Sequence, residues 1–409
     1  MQPFTVIPVA AARARLLETW AGGPVGSEFV ALPAALDRVL AEPAGALDDV
    51  PGFDRSTVDG YAVRAADTFG ASEALPAMLS AGSPVLMGEA AGAPLRPGEA
   101  RAVPTGGMLP PGADAVVMIE YCEAPDDRLV LVNRPVAPGE NIIRRGDDAR
   151  AGDQVLAAGR RLRPGDIGLL AGVGLAGVAV RRRPRIAVIS TGDEIVAPEV
   201  RPGPGQVRDI NSYALVAAVD AAGGEGVLIG VIRDEATAVR AALDRALATA
   251  DAVVISGGSS VGQRDVTPDV INSFGRPGVI VHGVALRPGK PTILAVVQDK
   301  PVFGLPGHPV SALVTFDLFV RPVIDRLLGR SEERTATVRA RIARNVASAA
   351  GREDYLRVSL EQRADGLWAV PLLGKSGLIS TMARADGLVR IDIGRDGLVA
   401  GDEVEVLPL

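Results

Sequence analysis

The chain has 409 residues, 47% of them hydrophobic and 22% charged, with a formal net charge of −6. That length exceeds what one hydrophobic core organises, so several domains are expected. The acidic balance argues against bulk binding to nucleic acid or to an anionic membrane, and an anionic small ligand would need a locally basic pocket.

Taken in chain order, residues 5–46 read as helix. One segment covers residues 11–18, and another covers 32–40 with Leu36, Val39 and Leu40 at helical spacing. Residues 49–153 change to short apolar runs between Pro-Gly turns at Pro97-Gly98, Pro111-Gly112 and Pro138-Gly139, a β-rich pattern. Residues 160–180 return to a helix-and-strand segment. The expectation is a helical domain over 1–48 and 153–183, with a β-rich domain over 49–152 inserted in it. Within 184–330, strands at 186–189, 227–232, 252–255 and 292–297 alternate with helices at 211–222 and 235–248. A further helix runs from Val310, with a kink or restart at Pro322. Two-sided apolar strands alternating with helices predict a doubly wound, mostly parallel sheet, the α/β class. Residues 331–409 alternate with period two and predict a small C-terminal β-barrel or sandwich, of which the barrel is the expectation taken forward.

Few residues are suited to redox or soft-metal chemistry. A single cysteine, Cys122, excludes an intrachain disulfide framework and a thiolate metal site. The two histidines, His282 and His308, are far apart in sequence, which leaves open only a hard cation held by carboxylates. No apolar run approaches ~18 residues and no signal-peptide pattern opens the chain, so a cytoplasmic protein is expected.

Sheets of this class bind ligands beyond the carboxyl ends of their strands. Three loops fall there: Ser190-Thr-Gly-Asp193-Glu194, Arg233-Asp234, and Ser256-Gly-Gly-Ser-Ser-Val-Gly262-Gln-Arg-Asp265. In the third, Gly257 and Gly258 free the backbone to approach a phosphate, and Ser256 and Ser259 add hydroxyls. Glu194, Asp234 and Asp265 would repel that phosphate directly, and they make sense if Mg²⁺ bridges them to it. Only three of the 43 basic residues are lysines, and two sit in glycine-flanked turns, at Lys290 and Lys375. A compact ammonium beside freed N–H groups suits a small oxyanion. Asp59-Gly60 reads first as a hairpin turn, and Arg144-Arg145 beside Asp147-Asp148 reads equally as a surface ion-pair cluster or a ligand contact.

Nine ordered motifs carry a resemblance. They are Val58-Asp-Gly-Tyr-Ala-Val, Pro104-Thr-Gly, Ala113-Asp-Ala-Val-Val, Asn141-Ile-Ile-Arg-Arg-Gly-Asp-Asp, Ser190-Thr-Gly-Asp-Glu, Ser256-Gly-Gly-Ser-Ser-Val-Gly, Arg287-Pro-Gly-Lys-Pro, Pro301-Val-Phe-Gly-Leu-Pro-Gly-His-Pro-Val-Ser and Gly351-Arg-Glu-Asp-Tyr-Leu-Arg. Together they resemble the molybdopterin molybdenumtransferase family, similar also to the enzymatic domain of gephyrin. The resemblance implies a homodimer of four-domain chains that inserts molybdate into adenylylated molybdopterin and releases AMP. It implies active-site positions at Asp59, Thr105, Asp148, Glu194, Asp234 and Asp265, with Mg²⁺ on Asp234 and Asp265 and Glu194 nearby. It also implies that Arg287, Lys290, Pro291, Ser311, Arg352 and Ser376 hold molybdate. Lys375 adjoins that set without being a usual family residue. Two departures stand out: His308 occupies a position usually held by asparagine, and Arg55-Ser-Thr-Val-Asp replaces the more usual Asn-Ser-Ala-Met-Asp. The rival readings are a molybdopterin adenylyltransferase, which shares the α/β domain, and a non-catalytic scaffold.

Overall fold

The computed structural model describes residues 6–257, 266–330 and 336–409. The chain forms two compact units. Residues 29–36 and 42–179 make one, and the segments up to 28, 37–41 and 180–409 make the other. No helix among the described residues is long and apolar enough to cross a membrane.

The first helix, α1 (Val9–Thr19), buries Val9, Ala12 and Leu16 at helical spacing. Trp20 follows it into the same core and donates from Nε1 to the Asp299 carbonyl at 3.1 Å. The helix expected over 32–40 does not form. The chain makes only a 3-10 turn over Leu32–Ala34, and Asp37 then takes φ 63°, a left-handed value that a helix interior excludes. Leu36, expected on the buried stripe, is 47% exposed.

The first-named unit is β-rich, as expected. Its main sheet contains β1 (Gly60–Val63), β2 (Ala77–Ala81), β3 (Glu99–Val103), β4 (Ala115–Met118), β5 (Cys122–Asp126) and β6 (Leu129–Val132), in the order β4-β1-β3-β2-β6-β5. Alternate residues face opposite cores: Val63, Ala100 and Val117 enter one, Ala62, Val103 and Val116 the other. Helix α2 (Pro164–Gly172) starts where Asp166 accepts the Arg163 N–H at 2.9 Å.

In the other unit a six-stranded sheet organises the α/β part. Its strands are β7 (Arg185–Thr191), β8 (Glu225–Ile232), β9 (Ala252–Ser256), β10 (Gly278–His282), β12 (Ile293–Val297) and β13 (Lys300–Leu305), with the two-residue β11 (Leu286–Arg287) standing apart. The order is β8-β7-β9-β13-β12-β10. The first four strands are mutually parallel, and β12 and β10 add antiparallel. Both faces are covered, which explains the unbroken apolar runs. Ile186 and Val188 face a core shared with α3 (Asn211–Ala221), and Ala187 and Ile189 face one shared with α4 (Ala236–Thr249).

After the short α5 (Thr267–Asn272), α6 (Pro309–Thr315) and α7 (Arg321–Leu328) flank a π-helical segment, Phe316–Val320. Pro322 lacks an N–H and crowds the preceding turn, so the widened turn just before it is the form the expected kink takes. The C-terminal strands β14 (Val338–Ile342), β15 (Glu353–Arg363), β16 (Gly366–Pro371), β17 (Gly387–Ile391) and β18 (Glu403–Pro408) run β15-β16-β14-β18-β17. A β15–β17 pairing closes the five into a barrel. Leu356, Val358, Val389 and Val406 fill its interior. Strand β11 then pairs in parallel with the start of β15, setting Arg287 opposite Asp354.

Phe303 on β13 is fully buried in the core shared by α1, α3 and the sheet. Phe303→Ala is expected to cost about 3–5 kcal/mol, read as a lower urea midpoint with little change in slope. A loss below about 1 kcal/mol would contradict the packing described.

Candidate active site

The strand register brings the first two expected loops together. Thr191 lies opposite Ile232, and Ser190 lies opposite Ser256, so β7, β8 and β9 end at one edge. There the Asp234 N–H points at Asp193 Oδ1, 3.4 Å away, and the Gly192 N–H donates to the Ile232 carbonyl at 3.2 Å. Burial pushes the Asp234 carboxyl above its ordinary range, and the charges of Asp193 and Glu194 push the same way. Gly257 has φ 100°, and a Cβ there would run into the Thr191 carbonyl, so only glycine lets the third loop leave β9 this close to the first. Gly258, Ser259 and Asp265 lie outside the described residues.

Asn211 at the start of α3 was not anticipated. Its Nδ2 donates to Ser256 Oγ at 2.8 Å and to the Gly307 carbonyl at 2.7 Å. It thereby ties the serine-glycine loop to the Gly304–Ser311 segment. A polar residue opening an otherwise apolar helix was its only sequence signal, and that signal is shared by any N-terminal cap.

The six residues expected to hold an oxyanion converge. Arg287, Lys290, Pro291, Ser311, Arg352 and Ser376 all line one cleft of about 1190 Å³, together with His308, Arg357 and Lys375. Each is placed for a traceable reason. The β11–β15 pairing puts Arg287 Nη1 3.3 Å and Arg352 Nε 3.0 Å from the two oxygens of Asp354, the one acidic residue lining the cleft among the described residues. The turn to Lys290 passes Gly289 at φ 124°, where a side chain would meet Thr315. Ser311 lies in the first turn of α6, just after His308. Ser376 Oγ lies 2.9 Å from His308 Nδ1, and the Ser376 carbonyl accepts the Val310 N–H at 3.1 Å.

In the β-rich unit Asp59 does not head a hairpin. Gly60 instead begins β1, which is paired on both sides, and Asp59 Oδ1 accepts from both the Thr105 N–H at 2.8 Å and the Thr105 hydroxyl at 3.0 Å. Asp148 is exposed in a separate turn, with its N–H on the Val50 carbonyl at 3.0 Å. The neighbouring charges serve the fold. Asp147 accepts the Arg144 N–H at 2.7 Å, and Arg145 pairs with Asp49 at 2.6 Å.

No group of three or more His, Cys, Asp or Glu side chains is placed to hold a metal ion among the described residues. Of the residues expected to hold Mg²⁺, Glu194 and Asp234 are described, with the Glu194 charge acting on Asp234, while Asp265 lies outside the described residues.

Three family models match the chain in order: the MoeA N-terminal region (domain I and II) over residues 7–174, a probable molybdopterin binding domain over 187–326, and the MoeA C-terminal region (domain IV) over 339–409. The chain is 34% identical to the molybdopterin molybdenumtransferase of Nostoc sp., covering 94% of this chain and 89% of that protein. It is 34% identical to the molybdopterin molybdenumtransferase of Bacillus subtilis, covering 100% and 95% respectively. Among solved structures, a molybdopterin biosynthesis moeA protein from Pyrococcus horikoshii OT3 matches with a TM-score of 0.82 at 31% identity, over 99% of this chain and 100% of that one.

Because Asp234 is harder to ionise in the folded chain than in the unfolded one, its charge works against stability above its folded pKa. Asp234→Asn is therefore expected to melt higher than the parent at pH 7. The difference should shrink as pH falls through the carboxylate range, where the parent's own carboxyl protonates. Equal melting temperatures at pH 7 would show that burial and the neighbouring charges do not make the ionised Asp234 costly to the fold.

Proposed function

Since the chain belongs to the molybdopterin molybdenumtransferase family, we propose that it inserts molybdate into adenylylated molybdopterin and releases AMP. The observation that carries this reading is the cleft, where, among the described residues, five cationic side chains and Ser311 and Ser376 face a space lined by a single carboxylate. A tetrahedral dianion leaves water only when directed donors and positive charge replace its hydration, and this donor set supplies both. Arg287 and Arg352 are forked donors held in place by Asp354, Lys290 is a compact point charge, and the serine hydroxyls give short, adjustable donors.

At the strand ends the reading assigns the adenylylated phosphate to the backbone after Ser256, through Gly257, Gly258 and Ser259. Asp234 and Asp265, with Glu194 nearby, would hold Mg²⁺, which when bound neutralises charge on the phosphoanhydride. Cleaving that linkage needs positioning and charge neutralisation more than a protein nucleophile, which is consistent with a chain that has only two histidines. We also assign active-site roles to Asp59 and Thr105, locked together by two hydrogen bonds, and to the exposed Asp148. We assign the chain four domains with the boundaries given by its sequence pattern, a homodimeric state and a cytoplasmic location.

The test is a purified-component assay with adenylylated molybdopterin, molybdate and Mg²⁺, following AMP release and molybdenum retained on the pterin. AMP release should require molybdate, stop with a chelator and return with added Mg²⁺. Lys290→Ala and Arg352→Ala should each raise the molybdate KM about tenfold with a smaller effect on kcat. Asp234→Ala should lower kcat roughly a hundredfold. Adenylylation of molybdopterin from ATP, without molybdate-dependent AMP release, would replace this reading with that of an adenylyltransferase.

A further inference from the structure

One cation in the cleft belongs to none of the expected sets. Arg357 is on β15, where Leu356, Val358 and Leu360 point into the barrel and Tyr355 points into the α/β core. Strand alternation therefore sends Arg357 out of the barrel on Tyr355's side, into the cleft wall. Only 7% of its surface is exposed, whereas the side chains of Arg287 and Arg352 keep 58% and 37%. Its Nη1 donates to Thr381 Oγ1 at 2.8 Å and its Nη2 to the Gly374 carbonyl at 2.9 Å. Its Nε has no hydrogen-bond partner among the described residues.

No carboxylate among the described residues is ion-paired with Arg357. Burial makes its proton easier to lose, and the like charge of Arg287 adds to that. A buried guanidinium without a counter-charge is costly to keep, and sequences retain one where something else supplies the negative charge. Gly374 starts the turn that carries Lys375 and Ser376, so the same guanidinium that lacks a counter-charge also anchors an element of the oxyanion site.

We propose that Arg357 is a positioning residue for the oxyanion: its guanidinium fixes the Gly374–Gly377 turn against β15, and the bound dianion answers its charge. This rests on the reading of the cleft as the molybdate site. It adds a buried cation to that site and predicts that the turn tightens when the anion is bound.

The experiment is calorimetric titration of the full-length protein with molybdate alone, joined to kcat and KM for molybdate in the assay above. Arg357→Gln, which keeps a donor and loses the charge, should weaken molybdate binding roughly tenfold, about 1.4 kcal/mol. The molybdate KM should rise in proportion and kcat should change less. Arg357→Lys should recover most of the affinity. Arg357→Gln binding like the parent overturns the proposal, as does Arg357→Lys binding no better than Arg357→Gln, which would reduce the role to loop geometry. If the Arg357 variants do not fold, Thr381→Val leaves the charge and removes one of its two acceptors. That variant should weaken molybdate binding measurably and leave AMP affinity unchanged, and unchanged molybdate binding overturns the proposal. A parent protein that fails to bind molybdate removes the functional reading itself, an outcome distinct from either variant result.

Discussion

The cleft depends on one short pairing, Leu286–Arg287 against Glu353–Asp354. Cations gathered in one place repel one another, and a chain with five of them around a cleft needs a reason to bring them together. Asp354 provides it by accepting from both Arg287 and Arg352, and the parallel bridge between β11 and β15 fixes where those three groups meet. The same bridge ties the segment between β10 and β12 to the barrel, so the contact that assembles this cation cluster also holds the start of β15. One carboxylate is enough to make the arrangement foldable and too little to neutralise it. The remaining positive charge would favour a dianion there.

The strand-end site has the opposite electrostatics. Burial, with the charges of Asp193 and Glu194 adding to it, raises the Asp234 pKa, where the cleft carries excess positive charge. The two sites are linked by one stretch of backbone. Strand β13 runs into Gly307, whose carbonyl Asn211 holds along with Ser256, and the next residue, His308, contacts Ser376 across the cleft. Ser311 follows within a turn of helix. The Gly304–Ser311 segment is therefore tied through Asn211 to Ser256 at one end and touches the Gly374–Gly377 turn at the other. That accounts for the glycines and prolines crowded into it: the backbone must reach both sites without side chains in the way.

How far this was legible in the sequence follows from which signals are local. The central α/β strands were readable because burial on both faces makes them uninterrupted apolar runs, β8 because it is apolar although Leu228 and Val231 stay exposed, and the barrel strands because burial on one face makes them alternate. Residues 32–40 misled because three apolar residues at helical spacing say nothing about Asp37, whose left-handed backbone is set by tertiary fit. Strand β11 is two residues long and carries no period at all. Arg357 was hidden by the alternation that revealed its strand: a polar residue between Leu356 and Val358 reads as facing solvent. Here the outer face of the barrel lies against the α/β core, so the polar position is buried. The lysines at 290 and 375 were legible for a different reason. In a chain that otherwise uses arginine, composition alone does not explain them, and both prove to line the cleft.

The arginines elsewhere in the chain show why charge balance, more than charge count, marks a site. Arg182 is held bidentately by Asp251, and Arg101 is fixed by Glu99 and by carbonyls of its own loop. Each of those cations has a carboxylate to itself, and the fold accounts for both groups. In the cleft two guanidiniums share Asp354, and a third, more deeply buried, is ion-paired with no acid among the described residues. Folding alone favours the first arrangement, because a buried charge without a partner destabilises the native state. The second arrangement persists where the missing negative charge comes from a ligand. His308 fits the same logic: its ring nitrogen reaches Ser376 much as a side-chain amide would, so the substitution keeps the contact that closes the turn over the site.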